Sequence, residues 1–174
     1  MMAKDTAASV NRRNDIISAA IDVFAEIGYY RATTAQVAER AQISQPYIFR
    51  FFKTKEALLL TAIEVSWTRV IDSFRIVVET ATPDQLENDL IEAYDKILES
   101  HKSEILLQMQ AQTIREEVIR QAMQKGISDV RSMVLEAFTV AGIAEPLKRT
   151  MIFLAIGMLC NLSTALDMPE LKDR

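Results

Sequence analysis

The sequence predicts an all-α fold, and three observations carry that prediction. Gly and Pro number only four each in 174 residues, too few for a turn-rich β-sandwich, a collagen-like chain or a long disordered linker. Aromatic residues make up 7%, whereas the helix formers Ala, Leu, Ile, Met, Glu, Gln and Arg are plentiful. Apolar residues recur at helical spacing in stretch after stretch, with no alternating strand pattern and no internal repeat.

Each element follows from its own signals. Residues 1–8 read as a loose tail. Ile16, Ile17, Ala20, Ile21, Phe24 and Ile27 make one apolar face of a helix over residues 10–27, and Gly28 stops it. Thr33 is placed to cap a short helix, Thr34–Ala41, with Val37, Ala38 and Ala41 inward. After the break at Gln42-Ile43-Ser44, Ser44 is placed to cap a second short helix, Gln45–Phe52, whose first turn tolerates Pro46. Two such helices joined by a turn of about three to four residues form a helix-turn-helix. Thr54 then caps a long helix from Lys55 to about Thr80. Pro83 precedes a helix from Asp84 to about Ser100, with acidic residues early, as the helix dipole favours. Further helices read over Ser103–Thr113, Arg115–Val140 and Ala144–Leu166. Gly126 marks a bend or a close contact inside the seventh of these eight spans, and Gly142 ends it.

Composition excludes several function classes. One Cys (Cys160) and one His (His101) rule out an internal disulfide and a Cys/His zinc site within one chain, and place the chain in the reducing cytoplasm. His101 sits in the polar stretch Glu99–Ser103 and reads as a solvated or capping residue rather than a catalytic one. The carboxylates at Glu116 and Glu117 face different directions on a helix, so no catalytic site, metal or cofactor is expected. The longest uninterrupted apolar run, Met151–Cys160, has ten residues against the roughly 20 of a membrane span, so no membrane partner is expected. The N-terminus lacks the apolar stretch of a signal peptide.

Net charge is −4, but it is unevenly spread. Residues 1–55 hold eight Lys/Arg against five Asp/Glu, while the remainder is acidic. A basic third can meet a polyanion while the acidic body keeps the protein soluble.

The helix starts sharpen this. A helix N-terminus offers free amides and partial positive charge to a phosphate. Thr33 and Thr34 stand at one start, Ser44 and Gln45 at a second, Thr54 and Lys55 at a third. Together they could clamp one stretch of phosphate backbone, with the helix after Ser44 entering the major groove. On that helix Gln45 can pair with adenine, and Arg50 can reach guanine or phosphate. Tyr47 can pack on a thymine methyl, and Pro46 offers an apolar contact. Ile43, Ile48, Phe51 and Phe52 read as core.

The run Phe24-Ala-Glu-Ile-Gly28-Tyr29-Tyr30-Arg31-Ala32-Thr33-Thr34, then Val37-Ala38, then Ile43 through Leu58 resembles the N-terminal domain of TetR-family transcriptional regulators. The resemblance is gap-free from residue 14 to 60. It implies DNA contacts at Thr34, Gln45, Pro46, Tyr47, Phe49 and Lys55, with Lys55 holding a phosphate. Two departures stand out. The family commonly has Gly where this chain has Gln42, at a turn that wants a left-handed backbone. It often has Tyr and His where this chain has Phe49 and Phe51, and Phe49 cannot hydrogen-bond a phosphate.

The resulting expectation is a helix-turn-helix DNA-binding domain over 9–54 and a helical ligand-binding and dimerisation domain over 55–174, linked by helix 55–80. The partners expected are a palindromic double-stranded DNA operator, a second copy of the chain, and a small apolar or amphipathic effector that releases a repressor. A helical protein-interaction module without DNA binding is the alternative. On helix 144–166, the face Ile152, Ile156, Leu159, Leu162 and Leu166 is expected to meet the chain's own core. The face Phe153, Gly157, Cys160, Asn161 and Thr164 is expected to pair with its copy, since small residues allow close approach. Trp67, Ile71, Tyr94, Leu98, Met109, Gln112 and Met133 are the expected walls of an effector cavity.

Overall fold

The computed structural model describes residues 2–172, with side chains from residue 9 onward. Eight α-helices follow one another: α1 (Met2–Ile27), α2 (Thr34–Arg40), α3 (Gln45–Ile48), α4 (Lys55–Thr80), α5 (Leu86–Ser100), α6 (Lys102–Ala111), α7 (Glu117–Val140) and α8 (Pro146–Leu166). A 3₁₀ turn, Pro169–Lys172, closes the described chain. No strand occurs among the described residues.

Most predicted spans hold to within a residue or two. Three differ in ways that matter. The expected loose tail is helix from Met2 on, with Met1 outside the described residues. The second short helix is a single α-turn. Beyond it Arg50 N donates to Tyr47 O (3.2 Å) and Phe51 N to Ile48 O (2.9 Å), a tighter i→i+3 pattern. The helix expected from Asp84 starts at Leu86, and its first turn carries Glu87 and Asp89.

The caps are set by short polar side chains. Gln36 N donates to Thr33 Oγ1 (3.3 Å) while Thr33 N donates to Gln36 Oε1 (2.9 Å), a reciprocal capping box at the start of α2. Ala57 N donates to Thr54 Oγ1 (3.0 Å) at the start of α4. Ser44 departs from expectation: its side chain makes no capping bond, and its carbonyl accepts from Tyr47 N (3.0 Å). Gly28 ends α1 at φ 79°, and Gln42 adopts φ 56° between α2 and α3. The turn therefore keeps its left-handed shape without glycine.

Two cores divide the molecule. The first gathers α1–α3 around Phe24, Val37 and Ile48, and takes in Leu58, Leu59 and Ile63 of α4, Leu107 and Ala111 of α6, and Ile119 of α7. The head is thus not self-contained: its core crosses the boundary expected at residue 54. The second core, around Phe74, Leu90, Val134, Phe138 and Phe153, joins α4, α5, α7 and α8. Trp67 of α4 packs against both. Its indole ring occupies the place where a Cβ on Gly126 would go. Gly126 therefore marks a close approach of α7 to α4; α7 runs unbroken through it.

Side-chain bonds tie head to body. Gln110 Nε2 donates to Ala25 O (2.7 Å), and Tyr30 Oη donates to Glu116 Oε2 (2.9 Å). At the joint between α5 and α6, Arg69 pairs with the buried Glu104, with His101 beside it. Burial, then the Arg69 charge, hold the His101 imidazole below its ordinary range. It caps α5 through its backbone amide, in line with the structural role expected of it.

Two stability predictions follow. Gln42→Gly relieves a left-handed strain of order 1 kcal/mol and should raise the urea midpoint. Gly126→Val overpacks the α4–α7 contact, and should lower stability by about 3 kcal/mol with a shift in Trp67 emission.

Candidate nucleic-acid interface

The reading surface is built by α2, α3 and the start of α4. Ile48 and Phe52 are buried and Ile43 and Phe51 pack against the same core, which turns the opposite side of α3 outward. Gln45, Pro46, Phe49 and Arg50 are exposed there, with Ser44 exposed before them and Tyr47 half-buried between. Phe49 keeps 44% of its surface.

These side chains hold one another in place. Gln45 Nε2 donates to Thr34 Oγ1 (2.9 Å), bridging the starts of α3 and α2. The Tyr47 ring meets Phe51 edge-on, with centroids 5.4 Å apart. The Arg50 guanidinium lies 5.1 Å from the Tyr47 centroid, a cation–π contact. Arg40 grips Glu26 of α1 with two bonds, 2.9 and 2.7 Å, fixing α2 to α1. That pairing lowers the Glu26 carboxyl and raises the Arg40 guanidinium from their ordinary values.

Lys55 corrects the sequence reading. Its ammonium does not face outward to a phosphate. It donates to the carbonyls of Tyr29 (2.8 Å) and Ala32 (2.9 Å) and stands 4.5 Å from the Tyr29 ring centroid. Lys55 thus closes the loop before α2, and only its third donor is left for a ligand. Thr33 is also engaged, its hydroxyl donating to Gln36 Oε1 (3.0 Å). The outward cations that sequence reasoning passed over are Arg31 and Lys53, both exposed beside the helix starts. Their signal was the basic excess of residues 1–55, which had not been assigned to positions.

The body holds a cavity of about 120 Å³ between α4, α5, α6, α7 and α8. Trp67, Tyr94 and Gln112 line it. The other expected walls do not. Ile71 and Met133 border a separate open groove between α4 and α7. Leu98 is buried in the second core, and Met109 Sδ accepts from Gln112 Nε2 (3.6 Å) without lining the cavity.

The faces of α8 are the reverse of those expected, except that Ile156 packs against the second core as the sequence predicted. Phe153, Cys160 and Asn161 are buried within the chain, and with Gly157 they line the cavity. Thr164 is half-buried, its hydroxyl donating to Cys160 O (3.0 Å). Ile152, Leu159, Leu162 and Leu166 instead point away from the core, at 42, 43, 40 and 56% exposure. Tyr94 packs on the buried face: its Oη donates to Asn161 Oδ1 (2.7 Å), and a Cβ on Gly157 would stand in ordinary contact with its ring at 3.6 Å. Burial pushes the Tyr94 phenol up to about 12, so it remains a donor. By length and composition α8 is also apolar enough to cross a membrane, which the count of uninterrupted apolar residues had missed. Here it packs against α5, α6 and α7.

Fold and surface together define a helix-turn-helix head on a helical body. Residues 16–62 match the model of bacterial regulatory proteins of the tetR family. The HTH-type transcriptional regulator HbdR of Aromatoleum sp. (strain CIB) is 36% identical over 76 residues, 44% of this chain and 30% of that one. The HTH-type transcriptional regulator BetI of Klebsiella pneumoniae (strain 342) is 44% identical over 48 residues, 28% of this chain and 25% of that one. The matched segment thus spans less than a third of these curated relatives. Among solved structures, the fatty acid degradation regulator FadR from Bacillus halodurans superposes with a TM-score of 0.76 at 21% identity, covering 91% of both chains. FadR from Bacillus subtilis, solved with stearoyl-CoA, gives 0.74 at 21% identity, covering 88% of this chain and 87% of that one. These two likenesses establish the fold.

The different settings of Arg50 and Lys55 give separable predictions. Arg50→Ala should leave stability within about 0.5 kcal/mol and weaken duplex binding, read by fluorescence anisotropy. Lys55→Ala strips two carbonyls of their partner, so thermal melting should also show a loss of about 2 kcal/mol.

Proposed function

We propose that the protein is a sequence-specific DNA-binding transcriptional regulator that acts as a homodimer and is released from DNA, as a repressor, by a small molecule. The observation that carries this is the outward cluster Gln45, Pro46, Tyr47, Phe49 and Arg50 on a helix whose other side is sealed into the head. Gln45 and Arg50 supply groups suited to base edges, and Tyr47 and Phe49 supply apolar contact to thymine methyls. Thr34, Ser44, Arg31 and Lys53 face the backbone in this reading. Thr33 and Lys55 act behind them by fixing the loop.

The exposed stripe of α8 supports the dimer. Leu147, Met151, Ile152, Met158, Leu159, Leu162 and Leu166 are each at least 40% exposed. A run of this length on one helix is more apolar surface than a monomer ordinarily shows. A two-fold copy would cover it with the same residues and set two heads on half-sites about 34–36 Å, or a multiple, apart. Met158 of this stripe and Ile127 of α7 also line the cavity and are exposed.

A route from cavity to DNA supports the release mechanism. α4 carries Trp67 at the cavity and Thr54 at the head. The Gln110–Ala25 and Tyr30–Glu116 bonds hold the head to α6 and to the start of α7. A ligand that moves α4 against α7 therefore changes the aim of the heads, and ligand and DNA affinities become reciprocally coupled.

Selection of bound duplexes from a random pool, followed by salt titration, tests the proposal. A palindromic site is expected, with log affinity falling against log salt by about 0.9 per phosphate neutralised. Salt-independent binding, or no enriched duplex, would favour the protein-interaction module. Leu159→Glu should sediment as a monomer and bind the selected site at least tenfold more weakly; a dimer that survives this change would remove the α8 stripe as its interface.

A further inference from the structure

Every side chain lining the cavity is uncharged. An ionised group carried into it would give up its hydration with nothing of opposite sign to meet. The volume, about 120 Å³, is comparable to an apolar cavity of about 150 Å³ that takes up benzene. A stearoyl chain, such as that of the ligand in the Bacillus subtilis FadR structure, has several times that bulk.

The polar atoms bias the cavity further. Asn161 Oδ1 is occupied by the Tyr94 hydroxyl (2.7 Å), which leaves the Asn161 amide to offer its N–H groups. Gln108 Nε2 is committed to Ser66 Oγ (3.0 Å). The Trp67 indole N–H is buried without a hydrogen-bond partner. Trp67 and Asn161 thus leave donors over in a space with no cation, while Gln108, with its Nε2 engaged, keeps its carbonyl oxygen as an acceptor.

On the reading that this cavity is the effector site, we infer that the effector is a compact neutral molecule of one ring's bulk carrying a hydrogen-bond acceptor, of the cyclic-ketone class. A carboxylate or a long acyl chain suits this space less well. The apolar ring fills the space between Phe74, Val70 and Phe153, and the acceptor meets the donors that the Tyr94–Asn161 pair and Trp67 leave free.

Trp67 is the chain's only tryptophan and lines the cavity, so its emission reports occupancy directly. Titrating the full chain with cyclohexanone should give a saturable change in emission and a raised melting temperature. Cyclohexanecarboxylate, with the same ring and an ionised group, should bind at least tenfold more weakly, and palmitate should give no saturable change. Gly157→Leu, which fills the cavity beside Tyr94, should abolish the cyclohexanone response; Ile156→Phe fills it from the next position if the first variant fails to fold. The inference is overturned if the carboxylate or palmitate equals or exceeds cyclohexanone, if cyclohexanone gives no saturable response, or if its response survives cavity filling. Duplex binding by the ligand-free protein is measured alongside. If it persists while cyclohexanone fails, the ligand class alone falls; if it is absent, the regulator reading falls.

Discussion

The contact between Trp67 and Gly126 sets how closely α4 and α7 pack. The indole lies where any side chain at residue 126 would have to go, so α4 and α7 can approach closely at this level and nowhere else by the same means. Trp67 belongs to both cores and to the cavity wall at once. Displacing it disturbs the packing of head and body together. Close-packed interiors transmit such displacements rather than absorb them. A glycine in mid-helix costs stability relative to alanine, and here that cost is offset by the burial of a large aromatic ring.

Much of the fold was legible because helix periodicity and capping residues are local signals. Thr33 and Thr54 announce their helices through side chains that reach only three residues ahead. Gln42 was legible as a strained site because the turn geometry, not the residue, sets its backbone. What the sequence hid was tertiary. Lys55 could not be seen turning inward, since the Tyr29 and Ala32 carbonyls it meets are 26 and 23 residues away. α8 is apolar on two sides, so its periodicity gave two stripes without saying which the chain would keep. The choice fell to Tyr94, whose hydroxyl needed a buried partner and found Asn161.

The reading surface depends on the same division between satisfied and unsatisfied groups. Thr33, Lys55 and Arg40 have their polar atoms committed within the protein. Arg50 rests on a ring, a weaker hold that another π-face or a phosphate can replace. Gln45 has a partner in Thr34 but stays exposed. The residues that hold this surface together are therefore distinguishable from those with polar atoms to spare by what those atoms already hold.

The shared first core has a consequence for modularity. Leu107, Ala111, Ile114, Ile119 and Met123 of the body complete a core whose other half is the head. A chimera that joined residues 1–54 to a foreign body would leave that half open and α3 poorly supported. Exchange of specificity between such regulators must therefore either carry α6 and the start of α7 along with the head or be confined to the outward side chains of α3.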